Sequence, residues 1–201
     1  MDRNTEQNEK LSRELSYKWI TNLNRLWSAI IIDELKKSGV MHFYPSPGMR
    51  NAPLLSALSN TPGIEVHSGI DERAQAYRAL GQAKFTGTPS VLICTSGTAL
   101  ANYYPAIIEA YKSRTPLIIL SADRPPELVI GDANQTINQT NIYQNFVSEF
   151  IDLGTPTTEC SLSAVARTVS SLWNNASDLQ LPVHLNLPFR GPLCQQEQLI
   201  D

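Results

Sequence analysis

Val91-Leu92-Ile93-Cys94 and Leu117-Ile118-Ile119-Leu120 narrow most sharply what this chain can fold into. Each is an unbroken apolar run rich in β-branched residues, so a strand made from it must be buried on both faces. Such strands belong to parallel sheets, which need helical crossovers to cover them. The chain supplies these. Leu15, Trp19, Leu23, Leu26, Ile30 and Leu35 recur at helical steps and predict an amphipathic helix over 15–35, with Gly39 to end it. His42-Phe43-Tyr44 predicts a short strand running into Pro45-Ser46-Pro47-Gly48, and Asn51 is placed to cap a helix through Leu58. Ile64–His67 predicts a strand, followed by a helix over 71–84 with Asp71 and Glu72 at its positive end. The run at 91–94 leads through Thr95-Ser96-Gly97-Thr98 into a helix to about Tyr111, and a helix over 162–174 precedes a last strand, Val183–Leu187. The expected fold is α/β: a three-layer, doubly wound sheet, mainly parallel, with helices on both faces.

The length of 201 residues suits one such domain, expected over 15–193. Residues 1–14 read as a flexible N-terminal extension and 194–201 as a C-terminal tail or the start of a linker. A net charge of -3 gives no general attraction to nucleic acid or to an anionic membrane. Met1–Lys10 lacks the basic start and apolar run of a secretory signal, and stretches such as Ala29–Ile32 are far too short to span a bilayer. The three cysteines, Cys94, Cys160 and Cys194, are odd in number and widely spaced, which points to a reducing cytoplasm. Cys94 reads as a small packed hydrophobe. His42, His67 and His184 share no ligand spacing, so packing or surface roles are expected and no metal site. Trp19, Trp27 and Trp173 read as core or interface filler on helices.

Ligands of doubly wound sheets gather at the carboxyl ends of the strands. Ser46–Arg50, Ser68–Arg73, Thr95–Thr98, Ser121–Pro126 and Pro188–Arg190 fall there, and together they suggest a binding rim. Each alone is equally well an ordinary strand-to-helix turn. Glu72 alone reads as a first-turn helix carboxylate or a surface partner of Arg73.

Taken in order, Ser46-Pro47-Gly48-Met49-Arg50, Asp71-Glu72-Arg73, Ala79-Leu80-Gly81-Gln82-Ala83-Lys84, Thr95-Ser96-Gly97-Thr98-Ala99-Leu100-Ala101-Asn102, Ala122-Asp123-Arg124-Pro125-Pro126-Glu127-Leu128 and Ala133-Asn134-Gln135 resemble the 2-succinyl-5-enolpyruvyl-6-hydroxy-3-cyclohexene-1-carboxylate (SEPHCHC) synthase family. The resemblance runs from about Trp19 to Pro192. It implies the pyrimidine-binding domain of an enzyme of menaquinone biosynthesis that uses thiamine diphosphate and magnesium. Its substrates would be 2-oxoglutarate, which is decarboxylated, and isochorismate, which receives the remaining fragment. Carried over residue by residue, Glu72 takes the role of the glutamate that hydrogen-bonds the pyrimidine ring. Pro47, Thr95, Ser96 and Gly97 bring backbone close to the cofactor or a partner chain. Arg50, Asn134 and Gln135 hold the acidic substrates, and Arg124 adds charge or braces its loop. Met49 departs from the family, which has a serine there.

The family's diphosphate-binding domain, with a Gly-Asp-Gly segment and a downstream asparagine for magnesium, has no counterpart in this sequence. Three readings follow: the N-terminal piece of a full synthase, half of a split enzyme, or a non-catalytic domain acting by self-association or partner binding. All three expect a homodimer or a partner diphosphate-binding domain to cover the interface.

Overall fold

The computed structural model describes Ile20 and residues 22–193. The N-terminal extension over 1–14, Leu15, Trp19, Cys194 and the rest of the 194–201 tail lie outside the described residues. Helix α1 (Leu23–Lys37) is started by Asn22, whose side chain accepts from the Arg25 N–H. It is followed by β1 (His42–Pro45), α2 (Ala52–Ser59), β2 (Glu65–Val66) and α3 (Glu72–Thr86). Then come β3 (Ser90–Cys94), α4 (Thr98–Lys112), β4 (Leu117–Asp123) and the short α5 (Pro126–Ile130). A 3-10 turn (Gln144–Phe146), β5 (Glu149–Asp152), α6 (Leu162–Leu179) and β6 (Val183–Pro188) complete the order.

The six strands form one sheet in the order β2-β1-β3-β4-β6-β5, every pairing parallel. The period-two alternation of strand side chains sorts the sheet into two cores. Phe43, Val91, Ile93, Ile118 and Leu120 pack under α1, α2 and α6. Tyr44, Leu92, Cys94, Leu117 and Ile119 pack under α3 and α4. Fully buried side chains such as Leu92 and Leu100 each contribute about 1.5–3 kcal/mol of transfer free energy. The three-layer α/β expectation holds, and the sheet is wholly parallel rather than mainly so.

The chain leaves β1 toward one edge, at β2, and then returns across β1 to build β3 and β4 on its other side. The direction of winding therefore switches between β1 and β3, and the crevice beyond their carboxyl ends is where such folds bind ligands. Several boundaries differ from the sequence reading. β4 runs on to Asp123, because Ser121 and Asp123 find buried polar partners. α6 continues to Leu179 and ends where Gln180 turns left-handed, φ 53°. β5 was not anticipated, since Glu149–Asp152 is a short, half-buried edge strand without a clean alternation. Asn51 precedes α2 as expected, yet its side chain does not cap that helix; it accepts from the Gly48 N–H (2.9 Å) and donates to the Ser46 carbonyl (2.9 Å). The residue is spent on shaping the loop.

Candidate functional site

Two loops flank the crevice at the switch point. After β1, Ser46 is fixed by its N–H donating to the Ile93 carbonyl (2.8 Å), and Asn51 closes the turn around Gly48. A Cβ on Gly48 would stand 2.6 Å from the Thr95 Cβ, so only glycine lets the loop after β1 reach the loop after β3. Pro47 and Met49 are exposed on this rim, Met49 to 69%. After β3, Gly97 has φ 84° and ψ -141°, a backbone region essentially restricted to glycine. A Cβ there would lie 2.9 Å from the Gln135 carbonyl oxygen.

Glu72 opens α3. Asp71 caps the helix, accepting from the Ala74 N–H at 2.7 Å, and this fixes where the first turn begins. Glu72 is half-buried, and Asn102 of α4 donates from Nδ2 to its Oε2 (3.3 Å). Its charge is felt by Cys94, whose thiol is pushed up by burial first and by Glu72 second. Asn102 lies in the helix that follows β3, so the carboxylate stands on the carboxyl-end side of the sheet, near the switch point. The buried Gln75 anchors the preceding loop by donating to the Pro45 carbonyl (3.3 Å) and to the His67 carbonyl.

A second group of predicted residues meets further along the sheet. Arg124 donates to Ser96 Oγ and to the Gln135 carbonyl (3.1 Å). Gln135 donates back from Nε2 to the Ser96 carbonyl (3.0 Å). Arg124 thus braces the loop. Asn134 stands exposed on the same loop. Arg50 donates to the Phe189 carbonyl (2.8 Å), while its buried Nε has no partner among the described residues. Burial pulls the Arg50 pKa down, and the nearby Arg124 charge adds to this against the opposing pull of Asp123. Arg50 and Arg124 share this part of the rim with Asp123, and the Arg50 guanidinium is the group suited to a carboxylate.

Behind this spot lies a buried polar network that sequence reasoning missed. Asn186 donates to Asp123 Oδ2 (2.9 Å) and Asp152 Oδ2 (3.0 Å), and accepts from Ser121 Oγ (2.8 Å) and Gln139 Nε2 (2.8 Å). Gln139 in turn accepts from the Gly97 N–H (2.9 Å). Asp123 has its pKa raised by burial, against the Asn186 and Arg124 N–H hydrogen bonds that lower it. His184 meets Ser121 Oγ at 2.7 Å, and burial pushes its pKa down to about 3. The available signal was the alternation of Ser121 with Asp123 and of His184 with Asn186 inside strands otherwise apolar. Asp123, Arg124, Ile130, Asn138, Gln139 and Asp152 also line a cleft of about 200 Å³. Among the predicted site residues, Arg124 alone lines it.

Residues 27–142, more than half of the chain, match the family described as thiamine pyrophosphate enzyme, N-terminal TPP binding domain. The chain belongs to this family. It is also similar to curated relatives named 2-succinyl-5-enolpyruvyl-6-hydroxy-3-cyclohexene-1-carboxylate synthase. The relative from Syntrophus aciditrophicus is 50% identical over 172 residues, which cover 86% of this chain and 29% of that protein. The one from Haloquadratum walsbyi is 47% identical over 174 residues, covering 86% and 28%. The one from Microcystis aeruginosa is 45% identical over 181 residues, covering 89% and 32%. The chain spans less than a third of the length of these relatives.

The described residues of this TPP binding domain fit one part of thiamine diphosphate. A half-buried carboxylate, oriented through one oxygen by Asn102, stands beside a crevice between glycine-tightened loops. This suits a flat heteroaromatic ring with a nitrogen to be hydrogen-bonded. The membrane expectation is met in its limited form: among the described residues, no helix is long and apolar enough to cross a bilayer.

Proposed function

We propose that this chain is the N-terminal, pyrimidine-binding part of a SEPHCHC synthase, working in the cytoplasm on 2-oxoglutarate and isochorismate. The position of Glu72 carries the reading: it opens α3 at the switch point, half-buried, with Asn102 on its Oε2. Bound thiamine diphosphate supplies the electron-sink chemistry for decarboxylating a 2-oxo acid. Glu72 shares a proton with the pyrimidine ring nitrogen, and Asn102 keeps its carboxylate turned toward the ring. Pro47, Thr95, Ser96 and Gly97 shape the crevice wall. Arg50 grips a substrate carboxylate with the help of the Asn134 and Gln135 amides, while Arg124 holds the Ser96 and Gln135 loops in register.

The diphosphate and magnesium are held by protein outside these residues, on a domain that docks against this one in a homodimer or a partner chain. The test is titration calorimetry with thiamine diphosphate and Mg2+, together with 2-oxoglutarate decarboxylation. Both are measured on this chain alone and with the remaining two domains of a relative added. Binding and turnover are expected in the mixture and to be lost with Glu72→Gln. Full turnover by the Glu72→Gln mixture would remove Glu72 from the mechanism.

A further inference from the structure

The edge of the sheet carries a second cluster of chemistry-bearing residues. β1 and β2 pair in parallel with His42 opposite Glu65. The ladder runs one residue past β2, because the His67 N–H donates to the Phe43 carbonyl (2.8 Å). Phe43 points into the core under α1 and α2, so its neighbours His42 and Tyr44 face the α3 side of the sheet. Glu65 and His67 share that side. His42 and His67 are 25 residues apart in the chain, so no ligand spacing shows in the sequence; the strand register brings them together.

His42 Nδ1 lies 3.2 Å from His67 Nε2, and Glu65 Oε2 lies 3.5 Å from the former and 3.7 Å from the latter. Three atoms at these separations share a point roughly 2.0 Å from each, which is the length of zinc–imidazole and zinc–carboxylate bonds. We propose that His42, Glu65 and His67 form a binding site for a zinc-class divalent cation that clamps the edge strand β2 to β1.

The donor set selects the class. Two imidazole nitrogens and one carboxylate suit Zn2+, Co2+, Ni2+ or Cu2+, whereas Mg2+ and Ca2+ require oxygen shells. The ligands are held before any ion arrives. The His67 ring meets His42 end to end through the facing nitrogens (centroids 5.5 Å, 24°) and stacks on Tyr44 (4.7 Å, 20°), and Gln75 fixes the His67 carbonyl. The exposed Glu65 leaves the fourth coordination position open to water. Arg78 is the opposing charge: its guanidinium lies 5.9 Å from the centroid of the Tyr44 ring, though it is occupied in donating to Gln75 Oε1 (2.6 Å). The segment after His67 leads directly to Glu72, so a bound cation would stiffen the approach to the candidate catalytic carboxylate. The inference rests on the cluster geometry and does not depend on the proposed function.

The test uses the tag-free chain stripped with a chelator. His184, the one remaining histidine in the sequence, is fully buried and cannot contribute. Calorimetric titration with Zn2+ in excess Mg2+ is expected to show one equivalent bound. Co2+ is expected to give the intense visible bands of tetrahedral coordination. His67→Gln and Glu65→Gln are each expected to weaken Zn2+ binding by roughly 10-fold or more, since changes even to the partners of metal ligands cost about that much. Absence of Zn2+ binding, or affinity unchanged in both variants, would overturn the site. Far-UV circular dichroism checks folding; if His67→Gln does not fold, Glu65→Gln, on an exposed side chain, decides alone.

Discussion

Acidification should destabilise this domain through His184, and the size of the effect follows from its burial. The imidazole has no exposed surface, is boxed by the Tyr143 and Phe150 rings at 5.1 Å, and bonds Ser121 Oγ through Nε2. Its pKa is pushed down to about 3, against about 6.5 in an unfolded chain. Between those values the unfolded state binds a proton that the folded state refuses. Stability is therefore fully present above pH 6.5 or so and is lost as pH falls toward 3, at about 1.4 kcal/mol per unit. From pH 7 to pH 5 the loss is about 2 kcal/mol, or roughly 4–8 °C in Tm for a chain of this length. His67, whose pKa is also lowered by burial, adds in the same direction. Asp123, raised by burial, acts oppositely, but nearer the ordinary carboxylate range. The assay is urea unfolding at pH 7 and pH 5 for the wild type and for His184→Gln, whose amide can keep the Ser121 contact. The variant is expected to be less stable at pH 7 but to lose about 2 kcal/mol less on acidification. Parallel pH dependence in the two proteins would refute a buried neutral imidazole. If the variant does not fold, a His184 ring NMR titration with a midpoint near 6 would refute it equally.

Further outcomes follow from the site geometry. Gly97→Ala should lose about 2 kcal/mol or more in denaturant unfolding, because a side chain is strained at φ 84° and meets the Gln135 carbonyl. Gly48→Ala should cost about 1–3 kcal/mol by forcing the Thr95 loop away, and should weaken thiamine diphosphate binding in the mixed-domain titration. Arg50→Lys should raise KM for an acidic substrate roughly 10-fold with a smaller change in kcat, since an ammonium cannot make the two-pronged contact. Asn102→Ala should lower kcat without the complete loss expected of Glu72→Gln, because it removes orientation and leaves the carboxylate.

The fold was legible because parallel strands buried on both faces announce themselves as unbroken apolar runs, as at Val91–Cys94 and Leu117–Leu120. Glycine and proline punctuation then located the loops at their carboxyl ends. What stayed hidden was whatever depends on pairing across the sheet. Nothing local to Glu149–Asp152 marks it as an edge strand. Nothing local to His42 or His67 shows that β1 and β2 align to bring them within 3.2 Å. Asn51 reads in the sequence as a helix cap, but its side chain bonds the Gly48 N–H and the Ser46 carbonyl of its own loop instead, a choice that depends on how the loop folds.

The hydrogen bonds behind the rim explain why residues scattered between 96 and 186 can act together. Ser96 and Gly97 are tied to Gln135 and Gln139, Gln139 to Asn186, and Asn186 to Asp123 and Asp152. Ser96, Gly97, Gln139, Asn186 and Asp123 are buried, and a buried polar atom costs about 1–3 kcal/mol when left unpaired, so the loops after β3 and β4 cannot shift independently of β6. Arg124 joins the same web from above through Ser96 Oγ and the Gln135 carbonyl. Arg50 and Glu72 stand outside it, each held by a single partner on the described chain, Phe189 and Asn102 respectively. A rigid polar floor carrying two loosely tethered charged side chains is the arrangement a binding site needs, because the floor fixes position while the charges can still exchange their protein partners for ligand atoms.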